Sequence, residues 1–313
     1  MTLFCSTIIP TVGRPSLAQA VHSVLQQELA DAAFELIVVN DSGAPLPPAD
    51  WQQSPQVRLI NTNRRERSLA RNSGAAVASG RFLHFLDDDD WLRPGALQHF
   101  HELAGQSRAA WLYGSSQLVD RQGRPLIQLH HRLQGNCFLP VVAGEWIPLQ
   151  ASLINSQAFF AVGGFNPILS GPEDIDLLRR VALHHEIAGI ETIVANIVRG
   201  EAGSTTDYNR HPIASRWARE KILDAPGCFR RLRAGAGNGY WHGRIARAYL
   251  TSMVWNLQRK RLWTAASRAG HGGVALLLAG TYLFGSDFWR AVTRSYENPT
   301  FARGFAEAHG RSR

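Results

Sequence analysis

The chain has 313 residues, 45% of them hydrophobic, and a formal net charge of +8. That length and apolar share support one large domain or two moderate ones with a real core, and exclude a disordered tail or linker. Three cysteines, Cys5, Cys137 and Cys228, lie far apart with no CxxC spacing, which argues against a disulfide framework or a zinc site and leaves them as buried thiols.

The opening "MTLFCSTIIPTVGRPS" has no basic segment followed by a long apolar one, so no secretory signal is expected and a cytoplasmic location is. Residues 3–9 read as a buried strand ended by Pro10, and "GRPS" as a turn into a helix with Leu17, Ala20, Val21, Val24 and Leu25 on one face. Residues 34–39, "FELIVV", are a second buried strand and 57–60 a short third; 68–78 form a helix and 82–86 a strand. This alternation predicts an α/β fold, a mostly parallel central sheet with helices on both faces. Such sheets bind ligands beyond the carboxyl ends of their strands, and Asp41 and Asp87 stand just past two of those ends.

Farther on, residues 110–150 mix short strands with a turn at "DRQG", and 156–162 is a short helix closed by "GGF". Pro172 opens another helix, "PEDIDLLRRVAL", as part of its first turn. Beyond Thr206 the signal is helical alone, as in "ASRWAREKIL" and "GRIARAYLTSMVWNLQRKRLW". The most apolar window, "GGVALLLAGTYLFG" at 272–285, is shorter than the ~20 residues a membrane span needs and reads as a buried or interfacial helix.

The run "FLHFLDDDDWLRPGAL" at 82–97 ends an apolar strand in four carboxylates, Asp87 to Asp90. Adjacent carboxylates at a crevice repel one another, and a divalent cation resolves the repulsion. All-oxygen ligation suits Mg²⁺ or Mn²⁺, which carboxylates commonly share with substrate phosphates. The bland alternative is an acidic loop capping the helix that starts near Pro94. Asp41 either accepts from a nucleoside or forms the local turn of "NDSG". In "NRRERSLARNSG", Arg64, Arg65 and Arg67 read as solvated charge, whereas Arg71, following Leu69 and Ala70, reads as turned inward. Glu173 and Asp174 sit in the first turn of their helix, where the macrodipole favours their charged forms. On their own they are ordinary helix-start residues.

The stretches "STIIPTVGRPSLAQAVHSVLQQ", "ELIVVNDSG", "LARNSGAAVASGRFLHFLDDDDWLRPGAL" and "AVGGFNPILSGPEDIDLLRRV" together resemble the inverting family 2 glycosyltransferases with the type A nucleotide-sugar fold. The resemblance covers about the first two thirds of the chain and implies a Rossmann-like nucleotide half. It implies that Pro10, Asp41, Arg71, Asp87 and Asp88 lie around the nucleotide. Asp87 and Asp89 take the places of the DXD acids that hold Mn²⁺ or Mg²⁺, Asp90 extends the motif, and Asp174 resembles the catalytic base with Glu173 beside it. It further implies a nucleotide-diphosphate sugar donor, expected to be a UDP-sugar, and a saccharide or glycolipid acceptor, expected to be lipid-linked in surface polysaccharide or lipopolysaccharide assembly. "VRGEAGSTT" stands where relatives close a polar segment over the diphosphate, and His130, His131, His184 and His211 compete equally for an additional metal ligand. The order Asp41, Ser42, Gly43 departs from the family's usual Asp-Gly-Ser, which affects the local turn more than the role of Asp41. Trp146 and Gln150 are candidates to face the acceptor, and core packing explains Trp146 as well. A free Asp, with a pKa of ~3.9, is a weak base that helps mainly late in the step.

Charge divides the chain. Residues 1–205 hold 15 Lys and Arg against 19 Asp and Glu, and residues 206–313 hold 18 against 6, which predicts a catalytic domain followed by a basic helical region. Arginines in that region alternate with Trp217, Trp241, Trp255, Trp263, Trp289, Tyr240, Tyr249 and Tyr282. This pattern fits either docking on the anionic inner face of a plasma membrane or a helical cap that forms a homodimer. No nucleic-acid motif is present, so no nucleic-acid partner is expected. A sugar nucleotidyltransferase would want a glycine-rich loop after the first strand, which "TIIPTVGRPS" does not supply. A non-catalytic nucleotide-sugar-binding or scaffolding protein would be favoured by the loss of an acid, and none is lost.

Overall fold

The computed structural model describes residues 3–63, 65–169, 171–199, 212–295, 300 and 304. The first half alternates strand and helix as the apolar runs require: β1 (Leu3–Thr11), α1 (Leu17–Leu25), β2 (Ala33–Asn40), β3 (Val57–Asn61), α2 (Arg67–Val77) and β4 (Phe82–Phe85). There follow β5 (Trp91–Leu92), α3 (Ala96–Gln106), the hairpin of β6 (Trp111–Val119) and β7 (Pro125–Leu129), α4 (Phe138–Ala143), β8 (Ser152–Asn155), α5 (Ser156–Ala161), α6 (Glu173–His184) and β9 (Ile187–Val198). The rest is helical: α7 (Pro212–Asp224), α8 (Cys228–Ala234), α9 (Gly239–Gln258), α10 (Leu262–Ala279) and α11 (Ser286–Thr293).

One nine-stranded sheet runs in the order β3-β2-β1-β4-β8-β6-β9-β5, with β7 on β6. β1 to β4 pair in parallel, whereas β8 is antiparallel to both β4 and β6, and β6 and β9 are again parallel. β1, β2, β3, β4, β6 and β9 therefore share one direction, and their carboxyl ends gather at one edge. Because β8 runs the other way, the turn at Leu149–Ala151 that precedes it lies at that same edge. The chain steps outward from β1 in both directions, so a crevice opens beyond β1 and β4.

β1 continues through Pro10 to Thr11 instead of ending at the proline. The backbone of Ile8 faces β4, through the bond from the Leu86 N–H, and that of Thr11 faces β2, through the bond from the Asp41 N–H. Pro10 therefore presents its missing donor to the β4 side, past the point where pairing with β4 has stopped, and no ladder bond is lost. Pro172 stands just outside α6 as its N-terminal flank. The single helix expected across 243–263 is two helices, broken at Arg259–Arg261 where Lys260 takes a φ of 58°.

α1 and α3 cover one face of the sheet with Leu17, Val21, Val24, Leu97 and Phe100. The other face packs against α2, α4, α5 and α6, in a cluster that continues without a break into Leu232, Ile245, Tyr249 and Phe288 of the C-terminal helices. A buried polar network ties those helices together. Glu220 of α7 accepts from Ser252 Oγ at 2.5 Å and Asn256 Nδ2 at 2.9 Å on α9, and pairs with Arg216 at 2.6 Å; Arg268 of α10 pairs with Asp224. Cys5, Cys137 and Cys228 are all buried free thiols.

Candidate active site

The sheet edge carries an open cleft of about 340 Å³, within the size range of small-ligand sites. Pro10, Thr11, Arg14, Asp41, Arg65, Arg67, Arg71, Asp87 to Asp90, Trp146, Gln150, Glu173, Asp174 and Arg199 line it. All the acids singled out in the sequence thus meet in one place, although 133 positions separate Asp41 from Asp174.

The run Asp87 to Asp90 forms a tight turn closed by the Asp90 N–H on the Asp87 carbonyl at 3.1 Å, and the four side chains part company. Asp87 is clamped by Arg71 at 2.6 Å and by Gln150 Nε2 at 2.8 Å. Burial pushes its carboxyl up, but Arg71, Arg67 and the donated bonds outweigh that and hold it below the usual range. Asp88 turns to Thr11 Oγ1 at 2.6 Å and Arg14 at 2.9 Å. Thr11 Oγ1 in turn accepts from the Gly13 N–H at 2.9 Å, so Asp88 fastens the loop after β1. Asp89 takes Arg14 at 3.0 Å. Asp90 accepts from the Val198 N–H at 2.7 Å, which pins the end of β9 to the turn. Burial first, and then the neighbouring carboxylates, raise Asp89 and, much further, Asp90.

Carboxylate oxygens of Asp87, Asp89 and Asp90 all lie within 4.8 Å of one another. Three hard oxygen donors at this spacing, two of them pushed toward protonation by burial and then by their neighbours' charge, fit a divalent cation of the Mg²⁺ or Mn²⁺ kind. None of the described histidines lines the cleft: His130 bonds Ser115, His131 packs on Tyr113, and His184 meets His185 edge-on. His211, Arg64 and residues 200–206 of the expected closing segment lie outside the described residues.

Asp41 is buried and takes Thr62 Oγ1 and the Glu66 N–H, both at 2.7 Å. The local turn belongs instead to Asn40, whose Oδ1 accepts from the N–H and hydroxyl of Ser42. Glu66 caps α2 by accepting from the N–H groups of Ser68 and Leu69. That cap sets the phase of α2 and turns Arg71 inward, 3% exposed, between Asp87 and Glu173, which it meets at 3.1 Å. Burial opposes its charge, and the two acids more than compensate. Arg65 and Arg67 are not simply solvated: both line the cleft, Arg65 donating to the Ser42 carbonyl and Arg67 lying 3.6 Å from Glu173. An acidic crevice recruits nearby arginines in a way that a local reading of "NRRERS" does not show.

Asp174, in the first turn of α6, accepts from Trp146 Nε1 and from the Ile175 N–H, each at 2.7 Å. Despite these donors, burial and then the charge of Glu173 push its carboxyl up to about 6. This corrects the expectation that the helix dipole keeps it an ordinary weak base, because desolvation outweighs the dipole here. Thr11, Arg14 and Arg199 escaped the sequence reading. Arg14 follows β1 at the same edge as Asp41 and Asp87, so strand-end position was a usable signal for it.

A family model described as "Glycosyl transferase family 2" matches residues 6–168. The succinoglycan biosynthesis protein ExoO of Rhizobium meliloti is 35% identical over 114 residues, 36% of this chain and 32% of that protein. A Campylobacter jejuni protein named GalNAc(5)-diNAcBac-PP-undecaprenol beta-1,3-glucosyltransferase is 32% identical over 125 residues, 38% of this chain and 39% of that protein. The match spans about a third of the length of such curated relatives. The fold resembles the crystal structure of Staphylococcus aureus TarS residues 1–349 in complex with UDP-GlcNAc, with a TM-score of 0.61 at 14% identity over 85% of this chain and 90% of that one. With more than half of its length matched by the family model, the chain belongs to glycosyl transferase family 2.

Proposed function

We propose that the chain is an inverting glycosyltransferase that moves a sugar from a nucleotide-diphosphate sugar, with a UDP-sugar as the leading candidate, to an acceptor hydroxyl. The observation that carries this reading is the meeting, in one cleft, of a three-carboxylate cluster with a half-buried aspartate raised to about 6. Asp174 takes the proton from the acceptor hydroxyl as that oxygen attacks the anomeric carbon from the face opposite the departing diphosphate. With its carboxyl near 6 it is charged at neutral pH and more basic than a free aspartate, so it assists earlier in the step. Trp146 and the Ile175 N–H hold it in place, and behind it Arg71 pairs with Glu173 and holds Asp87 charged. Arg14, Arg65, Arg67 and Arg199 offer guanidinium groups to the diphosphate oxygens, where negative charge grows as the oxocarbenium-like transition state forms. Asp87 and Asp89, with Asp90 next to them, would hold Mn²⁺ or Mg²⁺, which supplies Lewis-acid stabilisation of the leaving group.

The acceptor is a lipid-linked saccharide in surface polysaccharide or lipopolysaccharide assembly; the name of the Campylobacter relative supports this class. In this reading residues 1–205 form the catalytic domain and 206–313 bring it to the inner face of the membrane. Trp263, Leu277 and Phe284 are at least 80% exposed, and Val274, Leu278 and Tyr282 of the window at 272–285 are also open to solvent, which supports an interfacial reading of that window. No helix of the described residues is long and apolar enough to cross a membrane. Flotation with anionic vesicles tests this: the chain floats, and Trp263→Ser with Phe284→Ser does not. A chain that stays with the soluble fraction and elutes as a dimer favours the capping role. The chemistry is tested with a panel of nucleotide sugars scored for slow hydrolysis with and without Mn²⁺. One donor should be hydrolysed in a metal-dependent way and spared by Asp89→Ala; hydrolysis of none, with no thermal shift from any, would favour a non-catalytic binding protein.

A further inference from the structure

A second, smaller cavity of about 30 Å³ lies behind the sheet edge, between α4, α7, α8 and α9. Its wall is divided by chemistry. Leu139, Val142, Ala143, Leu232 and Ile245 form an apolar side, and Arg219, Arg244 and Arg247 form a cationic one. Three guanidinium groups around one apolar cavity raise the same question as the four carboxylates at the sheet edge, with the sign reversed.

Two of the arginines have structural work. Arg244 donates to the Ala291 and Arg294 carbonyls and Arg247 to the Val292 carbonyl, so both close the C-terminal end of α11. Arg219 of α7 makes no hydrogen bond and no ion pair with any described residue; its side chain as a whole is half-buried, while its Nε is closed off from solvent with no acceptor. The carboxylate next to it in sequence, Glu220, is engaged elsewhere by Arg216, Ser252 and Asn256. Burial, and then the charges of Arg179, Arg216, Arg244 and Arg247, lower the guanidinium of Arg219 to about 9. A group that is charged in almost every protein environment is thus under unusual pressure here. A buried polar group left without a partner costs free energy that a bound ligand can return.

The geometry points to a site for a tetrahedral oxyanion, a phosphate group, held by the forks of Arg219, Arg244 and Arg247 in the α4/α7/α8/α9 cavity. The cavity holds more than the ~10–15 Å³ that one water needs and falls far below the ~300 Å³ of a nucleotide pocket, which restricts the occupant to a single small anionic group. Arginine suits it because its planar fork binds phosphate oxygens in pairs. Phosphate in solution and the phosphate of a lipid headgroup present the same chemistry, and the site would take either.

The test is thermal unfolding of the full chain in inorganic phosphate against chloride at equal ionic strength. Phosphate also strengthens burial generally, so the comparison between variants decides. At about 20 mM phosphate the wild type should gain roughly 2–5 °C over chloride, and Arg219→Gln should lose that gain. Without phosphate, Arg219→Gln should melt no lower than the wild type, because it relieves like-charge repulsion. Should Arg219→Gln fail to fold, Arg247→Gln carries the same expectation for the phosphate increment. Equal increments in wild type and Arg219→Gln would overturn the proposal, as would an increment lost in Arg65→Gln and kept in Arg219→Gln, which would place the phosphate in the sheet-edge cleft. Co-sedimentation with phosphatidylglycerol vesicles separates the sources: weaker binding by Arg219→Gln assigns the site to a lipid headgroup, and unchanged binding with the increment intact in the wild type assigns it to phosphate in solution.

Discussion

Replacing Asp174 with asparagine should abolish turnover and yet make the protein more stable above pH 6. In the folded chain its carboxyl is raised from 3.8 to about 6. The folded state therefore holds a proton that the unfolded chain has already released. Stability from this group is greatest below the unfolded value, falls as pH rises between 3.8 and about 6, and is lost above that window. A rise of that size corresponds to roughly 3 kcal/mol of strain in the charged form at pH 8. Asparagine carries no charge and its carbonyl can still accept from Trp146 Nε1, but its amide cannot accept from the Ile175 N–H, a loss of about 1 kcal/mol. The net gain is about 1–2 kcal/mol, or roughly 2–4 °C in melting temperature for a chain of this size. The advantage should shrink by about 1.4 kcal/mol between pH 8 and pH 5, one unit below the raised value. Thermal and urea unfolding of both proteins in metal-free buffer at the two pH values measures this. A variant that melts lower than the wild type at pH 8, or an advantage that is the same at pH 5 and pH 8, would refute the assignment of Asp174 as a strained base.

Turnover itself should lose about tenfold per pH unit below about 6, as Asp174 takes up its proton; a flat profile from pH 5 to 8 would remove Asp174 as the base. Trp146→Phe deletes the 2.7 Å indole bond to Asp174, so the acid limb of the rate profile should move up by about one unit, whereas an unchanged limb would reduce Trp146 to packing. Gly189→Ala would drive a Cβ into the Tyr113 ring, which is fully buried and exchanges hydrogen bonds with Leu133. Its cost of about 2–4 kcal/mol should show as a lower urea midpoint. Glu220→Ala leaves Arg216 and Arg268 facing each other without their shared acid; a loss of about 3–5 kcal/mol is expected, and a loss under about 1 kcal/mol would show that the network is incidental.

The first half of the fold was legible because β1, β2 and β4 are buried almost throughout and carry apolar runs bounded by glycine, proline and aspartate. β6 and β9 were not. β6 carries Gly114, Ser115, Ser116 and Gln117 inside a fully buried strand, and β9 mixes buried with exposed positions. The two pair with register shifts at Tyr113–Ser116, where Gly114 lies against Val194, so no simple alternation survives. In the site, the acids were legible because each stands at a strand end or in a helix's first turn. Their partners were not, since Arg14 with Asp88, Arg71 with Glu173 and Trp146 with Asp174 lie 74, 102 and 28 positions apart. The pKa of Asp174 also escaped, because a helix start predicts stabilised charge and only the packed cleft shows how strongly burial opposes it.

In the proposed reading the cleft holds a nucleoside diphosphate through a cation on Asp87 and Asp89. Calorimetric titration of UDP into the full chain, with Mn²⁺ and with a chelator, tests it most directly when Asp89→Ala is run alongside. Binding by the wild type should require Mn²⁺ and be lost in Asp89→Ala. Equal affinity with and without Mn²⁺, or in wild type and Asp89→Ala alike, would contradict it.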